Sequence, residues 1–146
     1  MGLREDIDKW INANREEFLA SLSELIQTRT ENLPPKGEEK RGQEYLYKKV
    51  SSFIAESDLD MFEIDDIPGI RENLYFFGTM AGMEKEYTGR PNLAAKLTGK
   101  GGGKSLAFSG HMDTMPAGGE RWDVFPDPFS GKIKEGKMYG RGSMDM

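Results

Sequence analysis

The sequence of 146 residues contains no cysteine, and this absence excludes disulfide bonds and thiolate metal sites. It contains a single histidine, His111, so any metal site must combine this imidazole with carboxylate oxygens. No apolar run approaches the ~20 residues of a membrane span. The first residues lead into a charged amphipathic segment rather than the apolar core of a secretion signal. These absences predict a cytoplasmic protein without a membrane partner.

A basic surface is also missing from this sequence. Acidic residues number 25 and basic residues 20, which gives a formal net charge of −5 at pH 7. No group of lysines and arginines stands apart from acidic neighbours. Nucleic acids and anionic membranes attract basic surfaces. The charge pattern therefore predicts that nucleic acid is not a partner of this protein.

Two amphipathic helices are predicted in the first part of the chain. Over residues 3–28 apolar side chains recur at steps of three and four, which is the period of one helix face. A second stretch with this period covers residues 38–56. Pro34 and Pro35 lie between the two stretches and prevent one helix from continuing into the other.

Strands are predicted after the helices, from short apolar runs and from alternation of apolar and charged residues. Glu135-Gly136 is typical of a hairpin turn, and residues 78–89 are expected to form an exposed loop. Helices followed by strands predict a layered domain of the α/β class. The predicted strands are residues 60–64, 73–77, 92–97, 105–109, 132–134 and 137–139.

A glycine-rich turn at residues 99–104 raises nucleotide binding as an alternative. A phosphate-binding loop needs Gly, four further residues and then Gly-Lys-Ser or Gly-Lys-Thr, with a helix after it. Thr98 stands where the first glycine is required, and a strand-like run follows the turn. The pattern therefore favours a solvent-exposed connection over a nucleotide site.

His111 and Asp113 follow directly after the predicted strand at residues 105–109. Residues i and i+2 of an extended segment project to the same face. In open α/β sheets, ligands bind at the carboxyl ends of strands. A neutral imidazole can bind a metal ion while a neighbouring carboxylate orients it. The spacing is compatible with a metal site, but a His-x-Asp sequence is common, and taken alone it favours an ordinary structural role.

Asp145 follows the turn formed by Gly140, Arg141 and Gly142. Glycines allow a tight backbone path, which can bring the carboxylate back toward the end of the strand. A carboxylate can bridge two cations that lie ~3.5–4 Å apart. Asp is also a preferred residue at the start of a helix, so a capping role is the alternative explanation.

Two motifs, in this order, resemble the superfamily of dizinc amidohydrolases and exopeptidases. This group includes acetylornithine deacetylase, succinyl-diaminopimelate desuccinylase, aminoacylase and glutamate carboxypeptidase. The motifs are SGHMDTMP at residues 109–116 and GKMYGRGSMDM at residues 136–146, with Trp122 and residues 127–129 (Asp-Pro-Phe) between them. The first helices and residues 91–95 (PNLAA) are also similar to the start of that group.

The resemblance implies a zinc-exopeptidase-like catalytic domain, with two helices followed by strands of a mixed sheet. It implies a site with two divalent metal ions, zinc by preference and cobalt or manganese as alternatives. His111 would bind one metal ion, Asp145 would bridge both, and Asp113 would be the catalytic-site residue that orients His111. It also implies a cis peptide bond between Asp145 and Met146. The implied substrate is a small N-acyl amino acid or a peptide.

The resemblance further implies that residues 1–146 are an incomplete catalytic domain without the lid or dimerisation domain. A Glu-Glu pair, a further acidic ligand and a second histidine do not follow the second motif in these 146 residues. A catalytic zinc ion takes three protein ligands and a water molecule. We therefore expect an N-terminal fragment that binds metal weakly and is inactive alone. The alternative is a short non-catalytic chain that acts through self-association at an exposed sheet edge, or through a partner polypeptide.

Overall fold

The computed structural model describes residues 2–77, 79–80, 83–84, 86–119 and 121–145. Within these ranges the protein has the predicted α/β class, and its three α-helices precede most of the strands. The helices are α1 (Leu3–Ala13), α2 (Arg15–Gln27) and α3 (Glu39–Val50). The strands are β1 (Asn32–Leu33), β2 (Lys36–Gly37), β3 (Leu59–Phe62), β4 (Thr79–Met80), β5 (Met83–Glu84), β6 (Asn92–Ala95), β7 (Lys132–Lys134) and β8 (Lys137–Tyr139).

The strands of the described ranges form four separate antiparallel pairs, which are β1–β2, β3–β6, β4–β5 and β7–β8. The longest pair joins two strands that are distant in sequence, and its register runs from Leu59 opposite Ala95 to Phe62 opposite Asn92. One isolated parallel bridge links Glu31 to Thr114. This parallel contact connects the segment after α2 to the segment that carries the His-x-Asp motif.

The prediction of a single helix over residues 3–28 is wrong, because the structure separates α1 from α2 at Asn14. Asn14 has backbone angles of φ −105° and ψ 10°, and its Nδ2 donates a hydrogen bond to the Trp10 carbonyl over 2.7 Å. Asparagine side chains compete with the backbone for such groups, which disfavours asparagine inside a helix. Trp10 and Phe18 still meet across the break, with ring centroids 5.5 Å apart.

The second predicted helix is shorter than expected, because α3 ends at Val50 rather than near residue 56. The hydroxyls of Ser51 and Ser52 donate to the carbonyls of Lys48 and Lys49, at 3.0 and 2.7 Å. These side chains bond backbone groups at the helix end, and the chain turns there instead of continuing.

Four of the six strand predictions are confirmed in outline, namely β3, β6, β7 and β8. The strand predicted at residues 73–77 is wrong, since a turn occupies this region and the Phe76 amide donates to the Asn73 carbonyl over 2.9 Å. The strand predicted at residues 105–109 is also wrong, since this segment has no strand partner among the described residues. An apolar run forms a strand only where a second chain segment offers hydrogen-bonding groups.

The loop predicted at residues 78–89 contains the short pair of β4 and β5, and residues 78, 81, 82 and 85 lie outside the described ranges. The glycine-rich turn at residues 99–104 is exposed and is not followed by a helix. It therefore lacks the helix terminus that a phosphate-binding loop uses. Among the described residues, none of the helices combines the length and the apolar character that crossing a bilayer requires.

The core lies between α2 and the segments around residues 112–114 and 128–142. Ile26 and Phe129 are its most buried apolar side chains, at 6% and 3% exposure. The Arg29 guanidinium lies over the Phe129 ring, 4.5 Å from its centroid. On the other side, Gly42 of α3 faces Thr30 and Met112, and a Cβ atom added there would lie 2.7 Å from the Thr30 methyl carbon. A glycine at this position lets α3 approach the motif segment closely.

Candidate metal centre

His111 lies at the end of an exposed, extended segment, with Asp113 against one side of its ring. The imidazole Nδ1 is 2.9 Å from the Asp113 carbonyl oxygen and 3.3 Å from Asp113 Oδ1. The i, i+2 spacing therefore does bring the two side chains together, as the sequence predicts. Both oxygens face the same ring nitrogen, so Nδ1 carries the proton that is donated to Asp113.

Asp145 lies against the opposite side of the same ring. Its Oδ1 is 3.0 Å from His111 Nε2, although 34 residues separate the two in sequence. The preceding turn makes this approach possible, because Gly142 adopts φ +84° and a Cβ atom there would lie 2.8 Å from the Thr114 methyl carbon. The Arg141 amide also donates to the Pro128 carbonyl over 2.7 Å, which holds the turn in place. The glycine-containing turn thus returns the carboxylate to the motif.

The two carboxylates affect the charge state of the imidazole. The hydrogen bond with Asp145 is the largest cause that raises the pKa of His111 above its usual value, and the carbonyl and carboxylate of Asp113 add to it. Partial burial of the ring opposes this shift. A protonated imidazole donates at both nitrogens and so satisfies both aspartates at once. A cation at Nε2 would take the place of that proton.

Asn32 binds the second oxygen of Asp113, and no sequence pattern pointed to it. The Asn32 Nδ2 donates to Asp113 Oδ2 over 2.9 Å across 81 residues of sequence. Asn32 and its neighbour Thr30 are both buried, and the Thr30 hydroxyl donates to the Met112 carbonyl over 2.7 Å. A short polar stretch between a helix and two prolines gives no local sign of such contacts.

The backbone on both sides of Asp113 is also held by the segment after α2. The Thr114 amide donates to the Thr30 carbonyl over 2.9 Å, and the Asn32 amide donates to the Thr114 carbonyl over 2.8 Å. The Glu31 carboxylate accepts a hydrogen bond from the Ala117 amide over 3.0 Å. The motif therefore lies in a parallel pairing with residues 30–32 rather than in an extended sheet.

A cleft of about 290 Å³ opens beside the motif. One wall consists of residues 110–113, and the opposite wall contains Glu39 of α3 and Arg90. These two side chains form an ion pair, with Arg90 Nε 3.0 and 3.1 Å from the two Glu39 oxygens and the Arg90 Nη2 atom in contact with Oε1. Both side chains are about nine-tenths buried, which makes the pair a fixed part of the cleft wall.

His111 and Asp145 carry donor atoms that suit a divalent metal ion, but they form only part of a ligand set. Two ligands of a tetrahedral zinc ion at ~2.0–2.1 Å lie about 3.4 Å apart, slightly more than the 3.0 Å between Nε2 and Oδ1. Asp113 faces Nδ1, on the far side of the ring, and so does not converge with Asp145 on one point. Accordingly, the described residues contain no group of three or more His, Cys, Asp or Glu side chains arranged around a metal position.

The structure thus brings together all three residues that the sequence singled out, His111, Asp113 and Asp145. Their roles as metal ligand, orienting group and bridging ligand stay predictions. The cis peptide bond expected between Asp145 and Met146 includes Met146, which lies outside the described residues.

Comparison with known proteins identifies similarity in the same part of the chain. The family model described as peptidase family M20/M25/M40 matches residues 107–146. A succinyl-diaminopimelate desuccinylase of Wolbachia sp. subsp. Brugia malayi (strain TRS) is 36% identical over 101 residues, which cover 69% of this chain and 24% of that protein. The enzyme of the same name from Rhodospirillum centenum is 38% identical over 89 residues, or 60% of this chain and 22% of that protein.

A third protein of this name, from Methylobacterium radiotolerans, is 43% identical over 63 residues, or 43% of this chain and 15% of its own length. The chain therefore spans less than a quarter of the length of these curated relatives. No solved structure matches the chain.

Proposed function

Because this chain belongs to the peptidase family M20/M25/M40, we propose that it serves the metal-dependent hydrolysis of an amide bond in an N-acyl amino acid or a peptide. One observation carries this proposal. The single histidine of the sequence lies between two carboxylates, with Asp113 at Nδ1 and Asp145 at Nε2. A histidine that binds a metal ion through one nitrogen commonly donates its other N–H to a carboxylate or a carbonyl group.

The roles of the three residues follow from this arrangement. His111 would bind a metal ion through Nε2, and Asp113 would hold the ring so that Nε2 faces Asp145. Asp145 contributes a carboxylate whose two oxygens can each bind a different cation. The ions are two divalent metals, zinc by preference, which when bound polarise the amide carbonyl and lower the pKa of a water molecule.

Two candidate ligands are too few for a catalytic zinc ion, which takes three protein ligands and water. The curated relatives extend well beyond the part that this chain matches. We infer that the remaining ligands and the general base belong to that additional sequence. The relatives' name suggests an N-succinyl amino acid as substrate, and the absence of cysteine suits action in the cytoplasm.

Metal binding by the chain tests this proposal. Calorimetric titration with Zn²⁺ and Co²⁺ is expected to show weak binding that H111N abolishes. Mutation of a residue that only orients a metal ligand typically weakens metal binding by ~10-fold or more. D145N removes a proposed ligand itself, so it should weaken binding by at least that factor. D123N is the matched control, because Asp123 is exposed, carries the same charge and pairs with Arg121 instead. Equal binding by H111N and the wild type would overturn the proposal.

Hydrolysis provides the second measurement. With zinc added and an N-succinyl amino acid as substrate, the 146-residue chain alone is expected to show no turnover. The reason is that the described residues contain no group of three or more His, Cys, Asp or Glu side chains that could hold a catalytic zinc ion. Turnover by this chain would show that the ligand set needs no further sequence.

We also propose a second function, association with a further polypeptide or a second copy of the chain. Leu106 and Phe108 are 79% and 91% exposed and lie on an extended segment that has no strand partner among the described residues. Extended apolar segments with open backbone groups favour pairing with another chain.

A further inference from the structure

Asn32 is a buried amide that contacts the site without belonging to either sequence motif. It is 6% exposed, and its Nδ2 donates to Asp113 Oδ2 over 2.9 Å. Asparagine is mostly an exposed residue, so its burial beside a carboxylate calls for a specific contact. The hydrogen bond to Asp113 supplies such a contact.

The two oxygens of the Asp113 carboxylate therefore have different partners. Oδ2 accepts the hydrogen bond from Asn32, while Oδ1 lies 3.3 Å from His111 Nδ1. Rotation of the Asp113 side chain would break one contact or the other. With Oδ2 held, Oδ1 stays directed at the ring and the imidazole keeps the orientation that turns Nε2 toward Asp145.

The backbone makes this contact dependable. The backbone N–H of Asn32 donates to the Thr114 carbonyl over 2.8 Å, and the backbone N–H of Thr114 donates to the Thr30 carbonyl over 2.9 Å. These bonds fix the separation between the Cα atoms of Asn32 and Asp113. The Asn32 side-chain amide therefore meets Oδ2 at a smaller entropy cost than it would on a mobile backbone segment.

We propose that Asn32 is a positioning residue for the metal centre: it holds the Asp113 carboxylate, and through it the His111 ring, in the orientation that presents Nε2 to a metal ion. This inference rests on the proposed function. A donor is required at position 32, because a carboxylate there would face the Asp113 carboxylate and repel it. An apolar side chain would remove the hydrogen bond that holds Oδ2.

The test is a Co²⁺ titration followed by visible absorption, with four variants of the full chain. N32D keeps the size of the side chain and removes the donor. We expect it to bind Co²⁺ about 10- to 100-fold more weakly. This is the usual loss of metal affinity when a group that helps to orient a metal-bound histidine is mutated. T30V is the matched control. It removes a hydrogen bond from the same segment, but that bond is donated to the Met112 carbonyl and not to the Asp113 carboxylate. Two backbone hydrogen bonds still hold the motif in T30V, so its affinity should match the wild type.

The double variant N32D/D113N separates positioning from a general effect on folding. It restores a hydrogen bond with the donor and acceptor exchanged, so its melting temperature should recover relative to N32D. Its Co²⁺ affinity should equal that of D113N alone, because Asn32 acts through Asp113. Losses that multiply in the double variant would overturn the proposal, and so would equal affinities of N32D and T30V. Failure of the wild type to bind Co²⁺ at all would instead overturn the proposed function.

Discussion

At the scale of single residues, the candidate site depends on side chains that are far from it in sequence. Asn32 reaches Asp113 across 81 residues, and Glu39 reaches Arg90 across 51. Glu39 and Arg90 stabilise the cleft wall only as a pair, since each would otherwise be a buried charge. The two sequence motifs carry the candidate ligand residues, while Asn32 contacts Asp113 and the Glu39–Arg90 pair lines the same cleft.

Removing one partner of the buried pair should destabilise the protein strongly. R90M leaves the Glu39 carboxylate buried without its partner, and we expect a loss of roughly 3 kcal/mol in the free energy of unfolding. Urea denaturation followed by circular dichroism measures this change. The double variant R90M/E39L should lose less than R90M alone, because no charge stays buried.

R121M is the control for that experiment. Arg121 pairs with Asp123 at the surface, where both side chains are largely exposed, so its removal should change stability by less than about 1 kcal/mol. If R90M were as stable as R121M, the Glu39–Arg90 pair would contribute no more to the free energy of unfolding than an exposed surface pair does.

At the scale of elements, α2 and α3 are joined by a polar contact beside the core. The Tyr45 hydroxyl lies 2.8 Å from Glu24 Oε2, and Lys49 Nζ lies 3.1 Å from the same oxygen. The hydrogen bond from Tyr45, and then the Lys49 ammonium group, lower the pKa of Glu24 below its usual range. The two helices are therefore linked most strongly when Glu24 is ionised.

This contact predicts acid sensitivity of the α2–α3 pairing. A lowered carboxyl pKa stabilises the fold above the pKa of the unfolded chain, and that contribution is lost as the pH falls through the folded-state pKa. Y45F should raise the Glu24 pKa toward its ordinary value, and carbon NMR of the Glu24 carboxyl group measures this. Y47F on the same helix should leave the Glu24 pKa unchanged, and an equal shift in both variants would contradict the assignment.

Some elements of secondary structure can be predicted from local sequence signals, and others cannot. The hairpin of β7 and β8 is correctly predicted, because Glu135 and Gly136 adopt φ of 52° and 72°, as a two-residue turn with left-handed central residues requires. The helix break at Asn14 and the unpaired segment at residues 105–109 are not predicted. The helix break depends on a side-chain hydrogen bond, and the unpaired segment reflects the lack of a partner strand among the described residues. The spacing of apolar residues along the sequence predicts neither.

At the scale of the whole molecule, the buried core is small and much apolar surface is exposed. Ile26 and Phe129 are its buried apolar residues within the described ranges, while Leu106 and Phe108 are largely exposed. Such a surface favours association. The chain also spans less than a quarter of the length of the curated relatives that it matches.

Self-association should therefore depend on the exposed extended segment. The wild type is expected to exceed 16.4 kDa in light scattering at high concentration. L106S/F108S should weaken association by at least about 100-fold, because each large apolar side chain contributes roughly 1.5–3 kcal/mol when buried. L74S removes an equally exposed leucine from a turn and should have little effect. A monomeric wild type would contradict association with a second copy of the chain.

The amino-acid sequence by itself determined the α/β class, the amphipathic character of the first helices and the hairpin turn, and it singled out His111, Asp113 and Asp145 as candidate site residues. These depend on residue types within a few positions of each other, where propensity and side-chain period act directly. The tertiary structure alone decided that Asn32 binds Asp113, that Asp145 reaches His111 and that residues 105–109 stay unpaired. Such contacts close loops of tens of residues, and their free energy depends on which segments the folded core brings together.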